Sequence, residues 1–377
     1  MTRTATRTET ATKPTDQRAT AGPAGRFLAH GLIPLLIVLL VASAVAGIVL
    51  GSFQVPLDAV ARVVASHLGG DPLTGTDLRH DAIVWQIRLP RVLLGVLVGA
   101  GLAMVGTVLQ TLLRNPLADP FVLGTSYGAG VGAVSVTLGA SALAGVYSLS
   151  AGAFAGALAA TAVVFAVAQA HRGTGAARLL LAGVAVSFVG QAITNVLVLA
   201  GDDSGGQAAR AVLFWLLGGL GGARWTSLTV VAAATCLALP LFLLRARALD
   251  ALLLGEQTAA SLGLRPARLR TELFVVTALL TGALVAVSGA IGFVGLMMPL
   301  FTRLLLRTSE NARVLPVAAL LGAVFLLWAD LAARMVIAPA ELPVGVVTAL
   351  CGGPVFLWLL LRRGNAATTG LGGGGAL

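Results

Sequence analysis

The stretch from Arg88 to Gly130 constrains the fold more than any other part of the chain. A charged RLPR sequence precedes a long apolar run, which breaks at Arg114-Asn115-Pro116 and resumes at Pro120. Proline removes a backbone donor and disfavours a helical conformation at the preceding residue. An apolar run of about 20 residues is what a helix needs to cross a hydrocarbon layer. The pattern predicts two membrane passes joined by a tight turn.

Composition extends this prediction to the whole chain. Hydrophobic residues make up 57% and charged residues 11% of the 377 positions, whereas an ordinary globular domain is about one quarter charged. A bilayer accommodates this much apolar surface and water does not. The 47 glycines allow the close helix approach that is typical of membrane interfaces. We therefore predict an all-α polytopic membrane protein.

Apolar runs divide the chain into about ten predicted transmembrane helices. A cleavable signal peptide ending near Ala42-Ser43-Ala44 is an alternative for the first run, although that run continues to Leu50. The predicted domains are a disordered cytoplasmic tail at 1–30, a transmembrane domain at 31–363 and a disordered tail at 364–377. The predicted helices lie at about 32–50, 92–113, 120–141, 148–169, 179–200, 226–244, 272–291, 293–306, 314–337 and 343–361.

The arginines predict the orientation in a cell membrane. The net charge is +10, but the arginines cluster between apolar runs and not on one basic face, so we expect membrane lipid and no nucleic acid as a partner. With the N-terminal tail in the cytoplasm, the later basic clusters fall inside and both termini are cytoplasmic. Arg88, Arg91 and Arg334 fall outside. They either have a function there or extend to the membrane surface.

The sequence shows no pattern for ATP hydrolysis, metal binding or cysteine chemistry. The only lysine is Lys13, in the tail, so the chain has no P-loop lysine and any ATP must be hydrolysed by another chain. The four histidines are scattered without metal-ligand spacing. The two cysteines lie inside apolar runs. We expect no catalytic residue, no cofactor and no metal site.

A weak internal repeat relates the two halves of the chain. An offset of 183 residues aligns Gly99-Ala100 with Gly282-Ala283 and Pro116 with Pro299. Chance similarity in glycine- and alanine-rich sequence is the alternative. The charge distribution predicts that the first of these helices runs inward and the second outward. This is the inverted repeat of many transporters.

Each half of the chain contains one predicted helix break. Asn115, Pro116 and Pro120 mark the first, and Gly292, Gly295 and Pro299 mark the second. Such breaks persist in a bilayer only where other groups satisfy the backbone. They indicate either a lining of the translocation path or a rigid turn. Asp330 and Arg334, one helical turn apart, are either a functional pair or a structural ion pair.

The longest predicted cytoplasmic connection is the loop at about 245–271. An apolar cluster that includes Leu254 ends at Gly255, and Glu256–Leu262 is predicted to form a short amphipathic helix that stops at Gly263 and Pro266. Two short helices on the membrane surface would suit the docking of a soluble partner. A plain interfacial connector is the alternative.

These motifs together resemble the FecCD-type permeases, the membrane subunits of ABC importers for iron-siderophores, haem and cobalamin. The resemblance covers about residues 32 to 363 and implies a type II ABC importer permease with ten transmembrane helices. The motifs that carry it are RLPR (88–91), GTVLQTLLRNPLADPFVLGTSYGAG (106–130), WLLGGL (215–220), LGEQTAASLG (254–263), GFVGLMMP (292–299), the stretch from Asp330 to Arg334, and ELPVGVVTALCGGPVFLWLL (341–360).

The resemblance implies partners and residue roles. A second permease subunit, identical or homologous, pairs with the chain, two ABC ATPase subunits dock beneath, and an extracytoplasmic binding protein delivers substrate. Arg88, Arg91 and Arg334 match positions that meet carboxylates of the binding protein. The sequence departs from the family at Leu300 and Asn311, where histidines are usual. The residues that match the ATPase-coupling segment are Leu254, Gly255, Glu256, Thr258, Ala259, Leu262 and Gly263.

We therefore expect a permease that imports a ferric siderophore by ATP-driven alternating access. A cobalamin or haem permease is the alternative within the family. An ion-coupled secondary transporter is the alternative from another class, and it would need coupling carboxylates near the membrane midplane. A structural membrane scaffold gives no reason for a broken helix in each half.

Overall fold

The computed structural model describes residues 23–51, 53–70, 72–139, 148–169, 176–200 and 207–369, and no strand occurs within these ranges. Of the predicted tails at 1–30 and 364–377, residues 1–22 and 370–377 lie outside these ranges, as do the aspartates at 202 and 203, whereas residues 23–30 and 364–369 belong to helices. The helices are α1 (Pro23–Val49), α2 (Leu57–His67), α3 (Asp77–Ile83), α4 (Leu89–Leu112), α5 (Thr125–Gly139), α6 (Ser148–Gln169), α7 (Ala176–Ala200), α8 (Gln207–Leu216), α9 (Trp225–Leu253), α10 (Glu256–Ser261), α11 (Pro266–Ser288), α12 (Val294–Leu306), α13 (Asn311–Met335) and α14 (Val344–Thr369).

Membrane-spanning character is present in most of these helices. By length and composition, seven described stretches could cross a membrane, and α12 and the first part of α14 are shorter apolar helices. Each of the ten predicted apolar segments overlaps one helix: α1, α4, α5, α6, α7, α9, α11, α12, α13 or α14. The all-α membrane fold is confirmed, and the count of ten crossings remains a prediction.

The structure differs from the prediction at several places. It contains α2, α3 and α8, which no apolar run predicted. The segment expected from 120 starts with a 3-10 turn at Pro120–Leu123, and Gly124, at φ 78°, separates this turn from α5. Two short helices were expected in the loop at 245–271, but α9 continues to Leu253 and only α10 is separate. The first expected short helix is wrong because no glycine or proline interrupts the chain between Pro240 and Gly255.

Helix α4 lies at the centre of the fold, where it packs against α9, α11, α12 and α13. Glycines allow these contacts: a side chain at Gly99 would collide with the backbone of Gly322. A side chain at Gly101 would contact Leu284 of α11, and farther along α4 Leu109 lines one small cavity with Phe274. The partner residue number falls as the α4 number rises. The two helices therefore run in opposite directions, as the inverted repeat predicts.

Candidate functional site

Three arginines predicted at the outer face are all buried. Arg88, Arg91 and Arg334 are 6%, 7% and 7% exposed. Arg88 lies in a π-helical turn, Val84–Arg88, that leads into α4, and Arg334 lies in the last turn of α13. A guanidinium group cannot lose its charge in a protein, so each one needs partners when it is buried.

Asp330 supplies the counter-charge for two of the arginines. Arg91 Nη2 lies 2.9 Å from one of its oxygens, and Arg334 Nε lies 3.1 Å from the other. Glu341, whose side chain is 49% exposed, binds Arg91 Nη1 at 2.9 Å. The structural ion pair predicted within α13 is therefore confirmed, and it extends to α4. We call Arg88, Arg91, Asp330, Arg334 and Glu341 the outer ion cluster.

The guanidinium group of Arg88 and the other nitrogen atoms of Arg334 bind the end of α1. The last four carbonyl groups of a helix have no partner within it. Arg88 Nη1 donates to Ile48 O at 2.5 Å and to Val49 O at 3.0 Å, and Arg334 Nη2 donates to Gly47 O at 3.1 Å. Since α1 has no basic residue in its own last turn, cations from other helices complement its negative end. Docking of a binding protein by these arginines remains a prediction.

A cavity opens beside the outer ion cluster. Its volume is about 290 Å³, and Arg91 and Glu341 lie in its wall. The loop from Gly218 to Gly222 and the ends of α8, α11 and α14 complete the lining. Glu341 thus lies where a soluble carboxylate would reach Arg91.

The two predicted helix breaks meet in space. A side chain at Gly295 would lie 3.2 Å from Pro120 Cδ and 3.3 Å from Asp119 Oδ2. A side chain at Gly106 would collide with the backbone of Gly295. Phe293, at φ 68°, starts α12 within the fold and lies against Gly352 of α14. The structure therefore brings Pro120 and Gly295 together, while Pro116 lies in the turn that follows α4.

Gln110 supplies a donor at the place in α12 where Pro299 removes one. Proline at position 299 cannot donate to the carbonyl of Gly295, four residues earlier. Gln110 Nε2 of α4 donates to Leu296 O at 3.0 Å and lies 3.4 Å from Gly295 O. Arg303 Nη1 donates to Gln110 Oε1 and so fixes the orientation of this amide. A polar side chain from the first half thus stabilises the break in the second.

Further hydrogen bonds lead from Gln110 to the last turn of α9. Thr111 Oγ1 lies 3.1 Å from Asn311 Oδ1, and the backbone and side-chain amides of Asn311 donate to Asp250 Oδ1 at 2.9 Å and 2.7 Å. Asp250 lies in the last turn of α9, directly before the predicted coupling segment. We call Gln110, Thr111, Asp250, Arg303 and Asn311 the inner amide network.

The predicted coupling segment forms an exposed surface. Gly255, at φ 125°, and Gly263, at φ 80°, end the segment on both sides of α10. Leu254 is 72% and Leu262 is 65% exposed, whereas Ala259 is fully buried. Glu256 binds Arg270 at 2.6 Å, and Thr258 is exposed. Large apolar side chains at both ends of a short exposed helix are typical of a docking surface.

Sequence reasoning missed the inner amide network. Gln110 and Arg303 were visible as polar residues within apolar helices, which is a signal of function in membrane proteins. Their pairing links positions 193 residues apart, and one sequence does not reveal it. Asn311, noted as a departure from the family, is buried and bonded. Leu300, the other departure, is 8% exposed.

Known proteins are similar to this chain in sequence and in fold. Residues 35–362 match the model of the FecCD transport family. The chain belongs to the FecCD transport family. It is 43% identical over 293 residues to the hemin transport system permease protein HmuU of Yersinia pestis, which covers 75% of this chain and 85% of that protein. It is 43% identical over 288 residues to the vitamin B12 import system permease protein BtuC of Salmonella paratyphi A, again covering 75% and 85%.

A solved structure supports the same assignment. An inward-facing conformation of a metal-chelate type ABC transporter matches with a TM-score of 0.76 and 28% identity, covering 88% of this chain and 99% of that one. The chain is thus a multi-pass membrane protein and a permease subunit of an ABC importer. Such permeases are transport components and not enzymes.

Proposed function

We propose that this permease imports a ferric siderophore by alternating access driven by a separate ATPase. One observation carries the ATP-driven part: the exposed surface at Leu254 and Leu262 joins, through Asp250 and the inner amide network, the helix break at Gly295. A partner that moves α10 would therefore act on the middle of the fold. The similarity to a metal-chelate type transporter supports a chelated iron substrate.

The assembly proposed from the family has four chains in the membrane complex. A second permease subunit, the same or homologous, pairs with this one, and two ATPase subunits bind the coupling surfaces. An extracytoplasmic binding protein delivers the chelate. The basic residues Arg245, Arg265 and Arg268 flank α10, which supports a cytoplasmic position for this surface and for both termini.

Co-purification tests the ATPase partner. We expect a P-loop ATPase in about equal amount when the tagged chain is purified from its native membrane. Leu262→Asp places a charge on the apolar docking surface and should abolish this co-purification. Ser309→Arg, an exposed position on a different loop, is the matched control and should retain the ATPase. A chain that purifies alone with both residues native would contradict the proposal.

Substrate identity requires its own measurement. We expect uptake of a radioactive ferric siderophore when the permease, its ATPase and its binding protein are reconstituted in liposomes with internal ATP. The similarity to HmuU, a hemin permease by name, favours haem as the second candidate, and the similarity to BtuC favours cobalamin. Uptake of either compound without uptake of the siderophore would replace the proposed substrate.

Docking of the binding protein at the outer ion cluster can be tested without leaving an unpaired buried charge. Glu341 is half exposed and occupies one face of Arg91. If a carboxylate of the binding protein takes this place, Glu341→Gln should strengthen binding-protein affinity, because an internal competitor is lost. Unchanged or weaker affinity, measured by surface plasmon resonance on the permease in nanodiscs, would count against docking at Arg91.

One observation favours an ion-coupled transporter as the second candidate. The carboxylate of Asp119 is buried, and its Oδ2 has no hydrogen-bond partner among the described residues. Buried carboxylates within membrane segments mark ion pathways and proton relays in pumps and transporters. Uptake into liposomes under an ion gradient, without ATPase and ATP, would support this function. Loss of such uptake in Asp119→Asn would assign the ion site.

A further inference from the structure

The carboxylate of Asp119 lies inside the fold with one oxygen unpaired. Asp119 is 6% exposed, and its Oδ1 accepts a hydrogen bond from the backbone amide of Phe121 at 2.8 Å. Its Oδ2 is buried and accepts no hydrogen bond from any described residue. A buried carboxylate oxygen without a donor is unfavourable. This oxygen therefore needs a donor other than the described side chains and amides.

The first turn of α12 needs acceptors in the same way. The first amide of this helix that has a backbone acceptor is that of Met297, which donates to Phe293 O at 2.9 Å. Phe293 precedes the helix, and its side chain makes no capping hydrogen bond. The residues at 294–296 are buried, and their amides donate to none of the described residues. Buried amides in folded proteins almost always have an acceptor.

The unpaired oxygen lies beside these unpaired amides. Asp119 Oδ2 lies 3.3 Å from the position that a side-chain carbon at Gly295 would occupy, and Leu102 O of α4 lies 3.1 Å from the same position. Side chains on a helix point towards its N-terminus, so both oxygens lie beside the first turn of α12. A buried water molecule makes about three hydrogen bonds and both donates and accepts. One water can therefore donate to the two oxygens and accept from an amide of α12.

The electrostatics of this place favour water over a cation. The N-terminus of a helix carries a partial positive charge, and the first turn of α12, a helix of 13 residues, adjoins Asp119 Oδ2. A carboxylate is stabilised there, whereas a cation bound to the same carboxylate would be repelled by the helix. The place is therefore poorly suited to the coupling ion that a secondary transporter would bind.

We propose, on the basis of the ATP-driven import proposed above, that Asp119 is a positioning residue that caps α12 through one buried water molecule. The water donates to Oδ2 and accepts from the amide of Gly295 or of a neighbouring residue. Asp119 belongs to the first helix break and Gly295 to the second, so the cap joins the two breaks. A movement of α12 is then transmitted to the segment that leads into α5.

Direct observation of the water is the first test. A cryo-EM map of the complete complex, at a resolution that shows ordered solvent, should contain density at hydrogen-bond distance from Oδ2 and from a first-turn amide of α12. Hydrogen exchange is an independent measurement, since these amides exchange only when the first turn opens. Asp119→Ala should accelerate their exchange about tenfold, the effect of losing a hydrogen bond to a charged group. Asp119→Glu reaches the amides directly and should keep them protected.

Transport measures the positioning role. In liposomes that contain the complete importer, Asp119→Ala should lower the amount of chelate imported per ATP hydrolysed about tenfold, a typical coupling between two sites. Asp119→Glu should restore most of this ratio. Thr125→Val is the matched control, because the hydroxyl of Thr125 donates to Pro120 O at 2.6 Å in the same break. Its loss should lower the melting temperature and leave the ratio unchanged.

Three results would overturn the proposal. The first is a map of that quality without solvent density at Asp119 Oδ2, or with a metal ion there. The second is native exchange of the α12 amides in Asp119→Ala. The third is an equal fall of the transport ratio in Thr125→Val, which would assign Asp119 a purely structural role. The map and the exchange experiment need no substrate, and ATPase co-purification from the same samples separates these failures from failure of the importer function.

Discussion

The outer ion cluster and the inner amide network both hold α4 against α13, but with different chemistry. At the outer end, Asp330 lies between two guanidinium groups at 2.9 Å and 3.1 Å. At the inner end, the contact between α4 and α13 is a hydrogen bond between the neutral side chains of Thr111 and Asn311, at 3.1 Å. The charged groups of Asp250 and Arg303 lie on either side of this contact and bind the amides of Asn311 and Gln110. A buried ion pair resists separation because each charge, once separated, stays buried without a partner. Neutral amides and hydroxyls exchange partners at lower cost.

The backbone is also more strained near the inner amide network than near the outer ion cluster. The described non-glycine residues with positive φ are Arg114, Phe293 and Arg307. Arg114 and Arg307 end α4 and α12 near the inner amide network, and Phe293 starts the broken helix α12. Such residues store strain and are common where proteins move. If the coupling surface moves as proposed, we therefore expect the inner end to rearrange while the outer end stays fixed.

The largest effect is expected at Asp330. Asp330→Asn leaves Arg91 and Arg334 buried with a neutral partner, and we expect a loss of about 3–5 kcal/mol in the free energy of unfolding. Glu341→Gln removes a half-exposed partner of the same Arg91 and should cost less than about 1 kcal/mol. Thermal unfolding in detergent measures both. Equal destabilisation by the two variants would contradict a fixed outer end organised around Asp330.

The next effect is expected where α4 and α12 touch. Gly106→Val forces a side chain into the backbone of Gly295, and we expect about 1–3 kcal/mol of destabilisation together with loss of uptake. Gly292→Ala is the control in the same break, because no atom lies within 4 Å of its added carbon. A Gly106→Val protein with native stability would show that the two breaks do not pack as described.

Substitutions of Gln110 should reduce transport more than they reduce stability. Gln110→Leu leaves the carbonyl of Gly295 without a donor, and we expect about 1–3 kcal/mol of destabilisation. Uptake should fall further than this loss explains, while ATPase co-purification persists. Gln110→Glu keeps an acceptor for Arg303 but removes the donor, and it should also lose uptake. If Gln110→Leu destabilised the fold as strongly as Asp330→Asn, the distinction between the two ends would be lost.

The smallest effect is expected at an ion pair outside both regions. In α2, Arg62 donates to Asp58 at 2.7 Å and lowers the pKa of that exposed carboxyl. A carboxyl group whose pKa is lower in the folded state than in the unfolded state stabilises the fold at pH values above the unfolded-state pKa. This stabilisation is lost as the pH falls through the folded-state pKa. This loss therefore occurs in acid, below about pH 4. At neutral pH, Asp58→Asn should leave the melting temperature and uptake at native values, since solvent screens the pair.

The sequence predicted features that depend on neighbouring residues better than it predicted contacts between distant parts of the chain. Apolar length located the ten longer apolar helices but not α2, α3 or α8. The prolines located the first break, whereas Pro299 lies inside α12 and the second break falls between α11 and α12. The pairing of Asp330 with Arg334 was predictable because both lie on one helix. The third partner, Arg91, comes from 239 residues away, and no local pattern indicates it. The arginines predicted on the outer side did signal an unusual environment, but only the structure shows that carbonyl groups of α1 bind two of them.

The contact of Gln110 with the carbonyl groups around Pro299 has a consequence for biosynthesis. The carbonyl group that Pro299 leaves open in α12 is approached by a side chain translated almost two hundred residues earlier. In lipid, the nascent α12 has unfavourable open carbonyl groups until α4 lies beside it. We therefore expect α12 to reach its final hydrogen bonding only when the first half of the chain is already in place beside it.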